Sequence, residues 1–344
     1  MKHFLFMWLA SLMLCGAGLS IAQNDGAIVR RIQERGELIC GVNSVLPGFG
    51  TQNDAGDFVG FDADICRAVA TAILGSSDAI AFRSLNSAER PTALASGEVD
   101  MISRNTTWTL SRDTEWGATF APTTFYDGQG IMVKVDFGVA SLDELSQESI
   151  TICANAGSTT ELNITDLIIS LDADWTINTF PDADAGMVAY EAGACDAITS
   201  DMSQLLSRKA TAAHPGAHLI LPNVISKEPL GPLSPQNDAQ FADIIRWTVW
   251  GLIQAEEFGV TNENIGDFMD SDNAGIGRLL GLGDNVAGEY LGINDEFMVD
   301  VITQLGNYGE IFDRNLGPDT IFGLERGIND LWTRGGLMYA APFR

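Results

Sequence analysis

The run Leu38-Ile-Cys-Gly-Val42, followed by Phe61-Asp-Ala-Asp-Ile-Cys-Arg-Ala-Val-Ala-Thr-Ala-Ile-Leu74 and then Ala79-Ile-Ala-Phe-Arg-Ser-Leu85, alternates two kinds of pattern. The outer runs are short and β-rich, as strands covered by helices are. In the middle run Phe61, Ile65, Ala68, Val69, Ala72 and Ile73 recur at helical spacing, and Gly75 stands where such a helix would end. A helix of this kind lays one apolar stripe on a sheet. Segments 88–96 and 99–103 repeat the alternation, which predicts βαβ units, a mostly parallel sheet covered by helices and an α/β fold.

The pattern restarts after an extended piece at 130–135, with strands at 151–156, 176–180 and 196–201 and helices at 158–171 and 183–192. Two such units in sequence imply two lobes. A second extended stretch, 218–226, precedes Pro229, Gly231, Pro232 and Pro235, the composition of a chain passing between domains. Crossings near 130–136 and 222–232 make the second lobe an insertion in the first and leave a cleft between them, a favoured place for small ligands. The expected division is residues 23–132 and 228–344 for the first lobe, with a helical C-terminal extension, and 133–227 for the second. The extension follows a long helix at 241–258 and has helical pieces around Leu279, Phe297, Ile302, Leu305 and Ile311.

A chain of 344 residues suits about two domains. Its 19 Lys and Arg against 46 Asp and Glu give a net charge of −27, which repels phosphate backbones and argues against nucleic-acid binding. Lys2 and His3, the apolar run to Leu19 and the small-x-small pattern Ser20-Ile21-Ala22 read as a signal peptide over residues 1–22, cut after Ala22, so a periplasmic location is expected. Cys15 follows Leu14 rather than a small residue, which disfavours a lipid-modified cysteine. Four cysteines then remain, and an even number in an exported chain favours disulfides. Three connectivities are open; pairing within each part of the chain, Cys40–Cys66 and Cys153–Cys195, is the simplest.

Little supports metal or imidazole chemistry. Only His214 and His218 survive export, both beside a Pro-Gly turn. Asp270, Asp272 and Gly275 imitate the start of a calcium loop, but Ala274 and Gly281 stand where ligands are required. No metal and no cofactor are expected. The close pairs Asp62/Asp64, Asp172/Asp174 and Asp182/Asp184 read as solvated surface.

The segment Phe58-Val-Gly-Phe-Asp-Ala-Asp-Ile-Cys-Arg-Ala-Val-Ala70, with Gly97-Glu-Val-Asp100 and Ser103-Arg-Asn-Thr-Thr-Trp-Thr-Leu-Ser-Arg112, resembles the polar-amino-acid branch of periplasmic solute-binding proteins. Phe125-Tyr-Asp-Gly-Gln-Gly130 and Ile225-Ser-Lys-Glu-Pro-Leu-Gly-Pro232 resemble, within it, the general L-amino-acid binders of ABC importers. The resemblance runs from about residue 30 to the C-terminus and implies a two-lobed, type II-like periplasmic-binding-protein fold joined by two hinge strands. It also implies free L-amino acids as ligands, bound with broad specificity in the interlobe cleft by hinge closure, the membrane subunits of an ABC permease as partner, and a monomer.

Carried over residue by residue, Arg112 matches the arginine that holds the ligand α-carboxylate, a task for which a planar donor fork is suited. Asn105 and Thr107 belong to the loop around the amino-acid head. Ser158 and Thr159, in Gly157-Ser-Thr-Thr-Glu161, match the helix-opening turn that clamps the carboxylate from the second lobe; the same letters also suit plain capping. Asp201 matches the acid that accepts from the α-ammonium. In Leu46-Pro47-Gly48-Phe49 a leucine stands where relatives stack an aromatic ring, leaving Phe49 and Trp108 as candidate walls of the side-chain pocket.

A non-catalytic receptor is the leading reading. A prearomatic amino-acid dehydratase-like enzyme on the same fold, with Glu161 as the only nominated acid, and a periplasmic sensor are the alternatives.

Overall fold

The computed structural model describes residues 26–344, so the expected signal peptide at 1–22 lies outside the described residues. The chain opens with α1 (Ala27–Arg35) and β1 (Leu38–Val42), then folds an antiparallel flap of β2 (Val45–Leu46), β3 (Gly50–Gln52) and β4 (Phe58–Val59). Next come α2 (Phe61–Leu74), β5 (Ile80–Ser84), α3 (Arg90–Ser96), β6 (Met101–Ile102), α4 (Leu110–Glu115) and β7 (Ala118–Phe120). It leaves the first lobe through β8 (Phe125–Asp127) and builds β9 (Gln129–Lys134), α5 (Leu142–Leu145), β10 (Ile150–Asn155), α6 (Thr159–Leu171) and β11 (Trp175–Phe180). There follow α7 (Ala183–Glu191), β12 (Ala197–Asp201), α8 (Met202–Thr211) and β13 (His218–Ile220), before β14 (Glu228–Leu230) returns the chain to β15 (Leu233–Pro235) and α9 (Ala239–Phe258). The extension adds α10 (Ala274–Leu279), α11 (Ala287–Leu291), α12 (Phe297–Leu305) and α13 (Tyr308–Leu316). Among the described residues no helix is long and apolar enough to cross a membrane.

Each lobe holds a five-stranded sheet, β5-β1-β6-β15-β7 in the first and β11-β10-β12-β9-β13 in the second. The parallel pairs β1/β5, β1/β6, β10/β11 and β10/β12 need helical crossovers, supplied by α2, α3, α6 and α7. The strands next to the hinge, β15 and β9, enter antiparallel to their neighbours because they come from the crossing without such a helix.

The first crossing differs from expectation. All of β9 belongs to the second sheet, with Gln129 to Val133 paired against β12, because its alternate residues Ile131 and Val133 fill one side of that sheet and Met132 the other. The boundary therefore falls at β8 rather than at 130–136, and residues 129–132 pass from the first lobe to the second. At the hinge β8 and β14 form a two-stranded antiparallel ribbon, Phe125 opposite Leu230 and Asp127 opposite Glu228. A Cβ on Gly128 would lie 2.3 Å from Val224 and 3.0 Å from the Ser226 carbonyl, so the chains pass where only glycine fits.

The extension is part of the first lobe's core. Phe61, buried on α2, meets Phe49, Phe125, Tyr308 and Phe312 edge-on with ring centroids 5.9–6.4 Å apart. Asp64 on the same helix accepts from Arg67, Arg314 and Asn315, which ties α13 to α2.

Disulfides join Cys40 to Cys66, linking β1 to α2, and Cys153 to Cys195, linking β10 to the approach to β12. One bond therefore staples each lobe internally. Non-reducing peptide mapping is expected to return these two links and none between lobes. Replacing both Cys153 and Cys195 by Ser opens a loop of sequence separation 42 and is expected to lower unfolding free energy by about 2–4 kcal/mol in denaturant titration.

Candidate functional site

The first-lobe side of the cleft is shaped from Asp62. This carboxylate sits in the first turn of α2 and is buried, accepting from Ser103 Oγ at 2.9 Å and from the Asn105 N–H at 2.7 Å. Burial pushes its pKa up to about 6, against those two hydrogen bonds and Arg104. Asp62 and Asp64 are thus interior anchors rather than solvated surface, because each finds donors inside the fold. Asp182, by contrast, caps α7 by accepting from the Ala185 N–H, and Asp184 pairs with Arg208.

Asn105 takes a left-handed backbone (φ 34°), which asparagine tolerates better than most side chains. The following residues are clipped to the hinge, with the Gly231 N–H donating to the Thr106 carbonyl (3.1 Å) and the Trp108 N–H to the Pro229 carbonyl (2.8 Å). Thr109 caps α4 by accepting from the Arg112 N–H, which fixes Arg112 in the helix's first turn. Its guanidinium donates to the Thr107 carbonyl (3.1 Å) and stands 5.1 Å from the Trp116 ring centre. Burial pulls its pKa down, opposed by Glu228 and Asp201.

From the second lobe, Ser158 caps α6, accepting from the Glu161 N–H at 3.1 Å while donating to the Asn155 carbonyl at 2.6 Å. Glu161 accepts from the Gly157 N–H (2.8 Å) and is spent on the same helix start. Asp201 ends β12, where α/β clefts present their ligands, and accepts from Gln204. Burial, with Asp127 and Glu228 adding repulsion, pushes its pKa well up, against Gln204 and Arg112.

These groups meet in a small interlobe cavity. Ser87, Arg90, Arg104, Asn105, Thr107 and Arg112 face it from the first lobe; Asn155, Ser158, Thr159, Thr160, Ser200, Asp201 and Gln204 face it from the second. Six of the eight sequence-derived candidates are brought together there. Phe49 and Trp108 are not, which corrects their assignment to the pocket wall. Phe49 is drawn into the core against Phe61 and Phe125, beside a fully buried Leu46. Trp108 is 41% exposed and lies flat on Phe120, centroids 5.5 Å apart. Sequence reasoning missed Arg90, Arg104 and Gln204. Arg104 lay inside the quoted Ser103-Arg-Asn run, whereas Arg90, in a helix start after a loop, carried no motif.

It also passed over Glu228, the buried carboxylate at the hinge. One oxygen accepts from Thr107 Oγ1 (2.6 Å) in the first lobe and Thr159 Oγ1 (2.9 Å) in the second; the other accepts from Asn163 Nδ2 (2.8 Å) and Ser226 Oγ (2.5 Å). Away from the hinge the lobes also touch: Ser207 Oγ donates to the Pro47 carbonyl at 2.7 Å and Arg208 to the Val45 carbonyl. The cleft is closed.

Glu228→Gln replaces an acceptor of four donors by a neutral amide that can accept on one side only. It is expected to cost about 1.5–3 kcal/mol of the closed arrangement. Small-angle scattering of the ligand-free variant should give a larger radius of gyration than the parent, with an unaltered curve confining Glu228 to a local role.

Residues 38–258 match the bacterial extracellular solute-binding proteins, family 3. The chain is 44% identical to the general L-amino acid-binding periplasmic protein AapJ of Rhizobium johnstonii, and 44% identical to the glutamate/glutamine/aspartate/asparagine-binding protein BztA of Rhodobacter capsulatus. In both cases the match covers 91% of this chain and 92% of the relative. Among solved structures, an ABC transporter periplasmic binding protein from Brucella ovis with glutathione bound superposes with a TM-score of 0.89 at 44% identity, over 92% of this chain and 99% of the other. The chain therefore belongs to the bacterial extracellular solute-binding proteins of family 3.

Proposed function

We propose that this protein is the periplasmic receptor of an amino-acid ABC importer: it binds a free L-amino acid between its lobes, closes, and delivers it unchanged, as a monomer, to the membrane permease. The observation that carries the reading is the split of charge across the cleft. Arg112, from the first lobe, can donate two parallel bonds to an α-carboxylate, and Asp201, from the second, can accept from an α-ammonium. Thr159, at the start of α6, adds a hydroxyl and a helix N-terminus on the carboxylate side, and Asn105 and Thr107 complete the head-group pocket. Neither lobe alone matches both ends of a zwitterion, so the closed form gains the differential affinity that shifts the population.

The similar proteins support the head-group reading. The Rhizobium and Rhodobacter relatives are named for amino acids, and glutathione, held by the Brucella relative, ends in a γ-glutamyl group with a free carboxylate and ammonium on one carbon. Glu161, the acid nominated for a catalytic alternative, is engaged at the helix start and is not part of the cavity wall.

A thermal-shift screen of L-amino acids, followed by calorimetry and recovery of unchanged ligand, tests the receptor. Arg112→Ala is expected to weaken every accepted amino acid by a similar factor, about 2–5 kcal/mol for loss of a buried charged partner. Loss for one ligand with normal binding of another would assign Arg112 to side-chain reading. The hinge at β8 and β14 is expected to respond as well: in small-angle scattering, saturating ligand should reduce the radius of gyration of the Glu228→Gln variant, whose ligand-free population is the more open one. A ligand that binds through Arg112 to an open cleft without compaction would exclude closure by ligand.

A further inference from the structure

The cavity holds two more arginines than an α-amino-acid head requires. Arg90 is 2% exposed and Arg104 is 3% exposed, and both line the same space as Arg112. Among the described residues, none of the three has a carboxylate oxygen within 4.0 Å, although arginines elsewhere find acids even at the surface, as Arg83 does with Glu98. Their hydrogen bonds go to neutral groups. Arg90 donates to the Ser87 carbonyl and to Thr106 Oγ1, both at 3.1 Å, and Arg104 to the Leu85 carbonyl at 2.7 Å. Arg90 and Arg112 stand over one ring, 5.5 and 5.1 Å from the centre of Trp116.

Burial of cations without counter-ions is unfavourable, and like charges facing one space add to the cost. Burial, followed by repulsion from Arg112 and Arg104, pulls the Arg90 pKa well down; burial brings Arg104 to about 10 against the attraction of Asp62. Guanidinium groups nevertheless remain charged at neutral pH. An α-carboxylate on Arg112 and an α-ammonium on Asp201 would leave both of the other cations unmatched. The rest of the wall does not favour an apolar side chain, because every residue lining the cavity is polar or charged.

Resting on the receptor reading above, we propose that Arg90 and Arg104 form a second anion subsite, which takes the distal carboxylate of the ligand and makes this receptor favour acidic amino acids and their γ-linked peptides within its broad range. Arg112 and Asp201 read the head; Arg90 and Arg104 read the other end. Two planar forks can share one carboxylate between them or bind it singly, so aspartate, glutamate and γ-glutamyl peptides can all be accommodated by the same chemistry.

Glutamate and glutamine have nearly the same shape and differ in charge, so their ratio of affinities isolates the subsite. Calorimetry on the full mature chain is expected to give glutamate at least about tenfold tighter binding than glutamine. In Arg104→Gln and in Arg90→Gln that ratio should fall by about tenfold, while Arg104→Lys and Arg90→Lys, which keep the charge, should retain a glutamate preference. Equal or tighter binding of glutamine by the parent would overturn the proposal while leaving the receptor intact. So would variants that weaken both ligands by the same factor, since that pattern marks a positioning role alone. If no amino acid binds, or Arg112→Ala changes neither ligand, the receptor reading fails first and the subsite with it. A glutamine variant that does not fold leaves the parent's own ratio, and the lysine variants, to decide the matter.

Discussion

A carboxylate buried at the meeting of two lobes must be surrounded by donors, and at Glu228 the chain draws those donors from both sides. Thr107 comes from the first lobe, Thr159 and Asn163 from the second, and Ser226 from the returning crossover. Each of these residues is fixed by something else: Thr107 by the clip of its loop to β14, Thr159 by the capped start of α6. The directly opposed Asp127 is buried too, and its pKa is pushed up to about 6 by that burial, against bonds from Ser203 and Gly128. The hinge is thus an acidic, donor-lined ribbon. Side chains of both lobes reach one cavity because this ribbon sets the angle between them.

The charge distribution runs in opposite directions at two scales. The sequence carries a net charge of −27, yet the cavity wall holds three arginines and one aspartate. Surface acids are screened over about 8 Å at physiological salt, so their repulsion of a small anion fades within a few atomic diameters of the molecule. Inside, water is scarce and the arginines act undiluted. A small anion would therefore meet their attraction only over the last few ångströms.

Periodicity made the two α/β lobes legible, because a helix such as α2 buries a repeating stripe and the strands around it are short and β-rich. It placed the first crossing a few residues late, since an extended segment reads alike whether it spans lobes or joins a sheet; only the pairing of β9 with β12 decides. The cavity residues Arg112 and Asp201 could be singled out from local motif and strand end. Phe49 and Trp108 could not be placed, because an aromatic side chain gives no sign in sequence of which neighbour it will meet. Arg90 and Glu228 were invisible for a related reason: their importance comes from partners distant in the chain, as Glu228 shows with Thr107, 121 positions away.

The nested topology also bears on how the chain acquires its structure. Residues from β9 to β13 form one uninterrupted stretch with its own sheet, two apolar faces and a disulfide, so its strand pairings all close within that stretch. The first lobe is stitched from both ends: Asp238 accepts from the N–H groups of Gly26 and Ile28, more than 200 positions earlier, and Phe343 lies in the same core as Ile28. Contacts therefore span less of the chain in the inserted lobe than in the enclosing one. During emergence from the N-terminus the inserted lobe can be completed while its host still lacks β15 and α9, so the slow step of folding belongs to the lobe that begins first and finishes last.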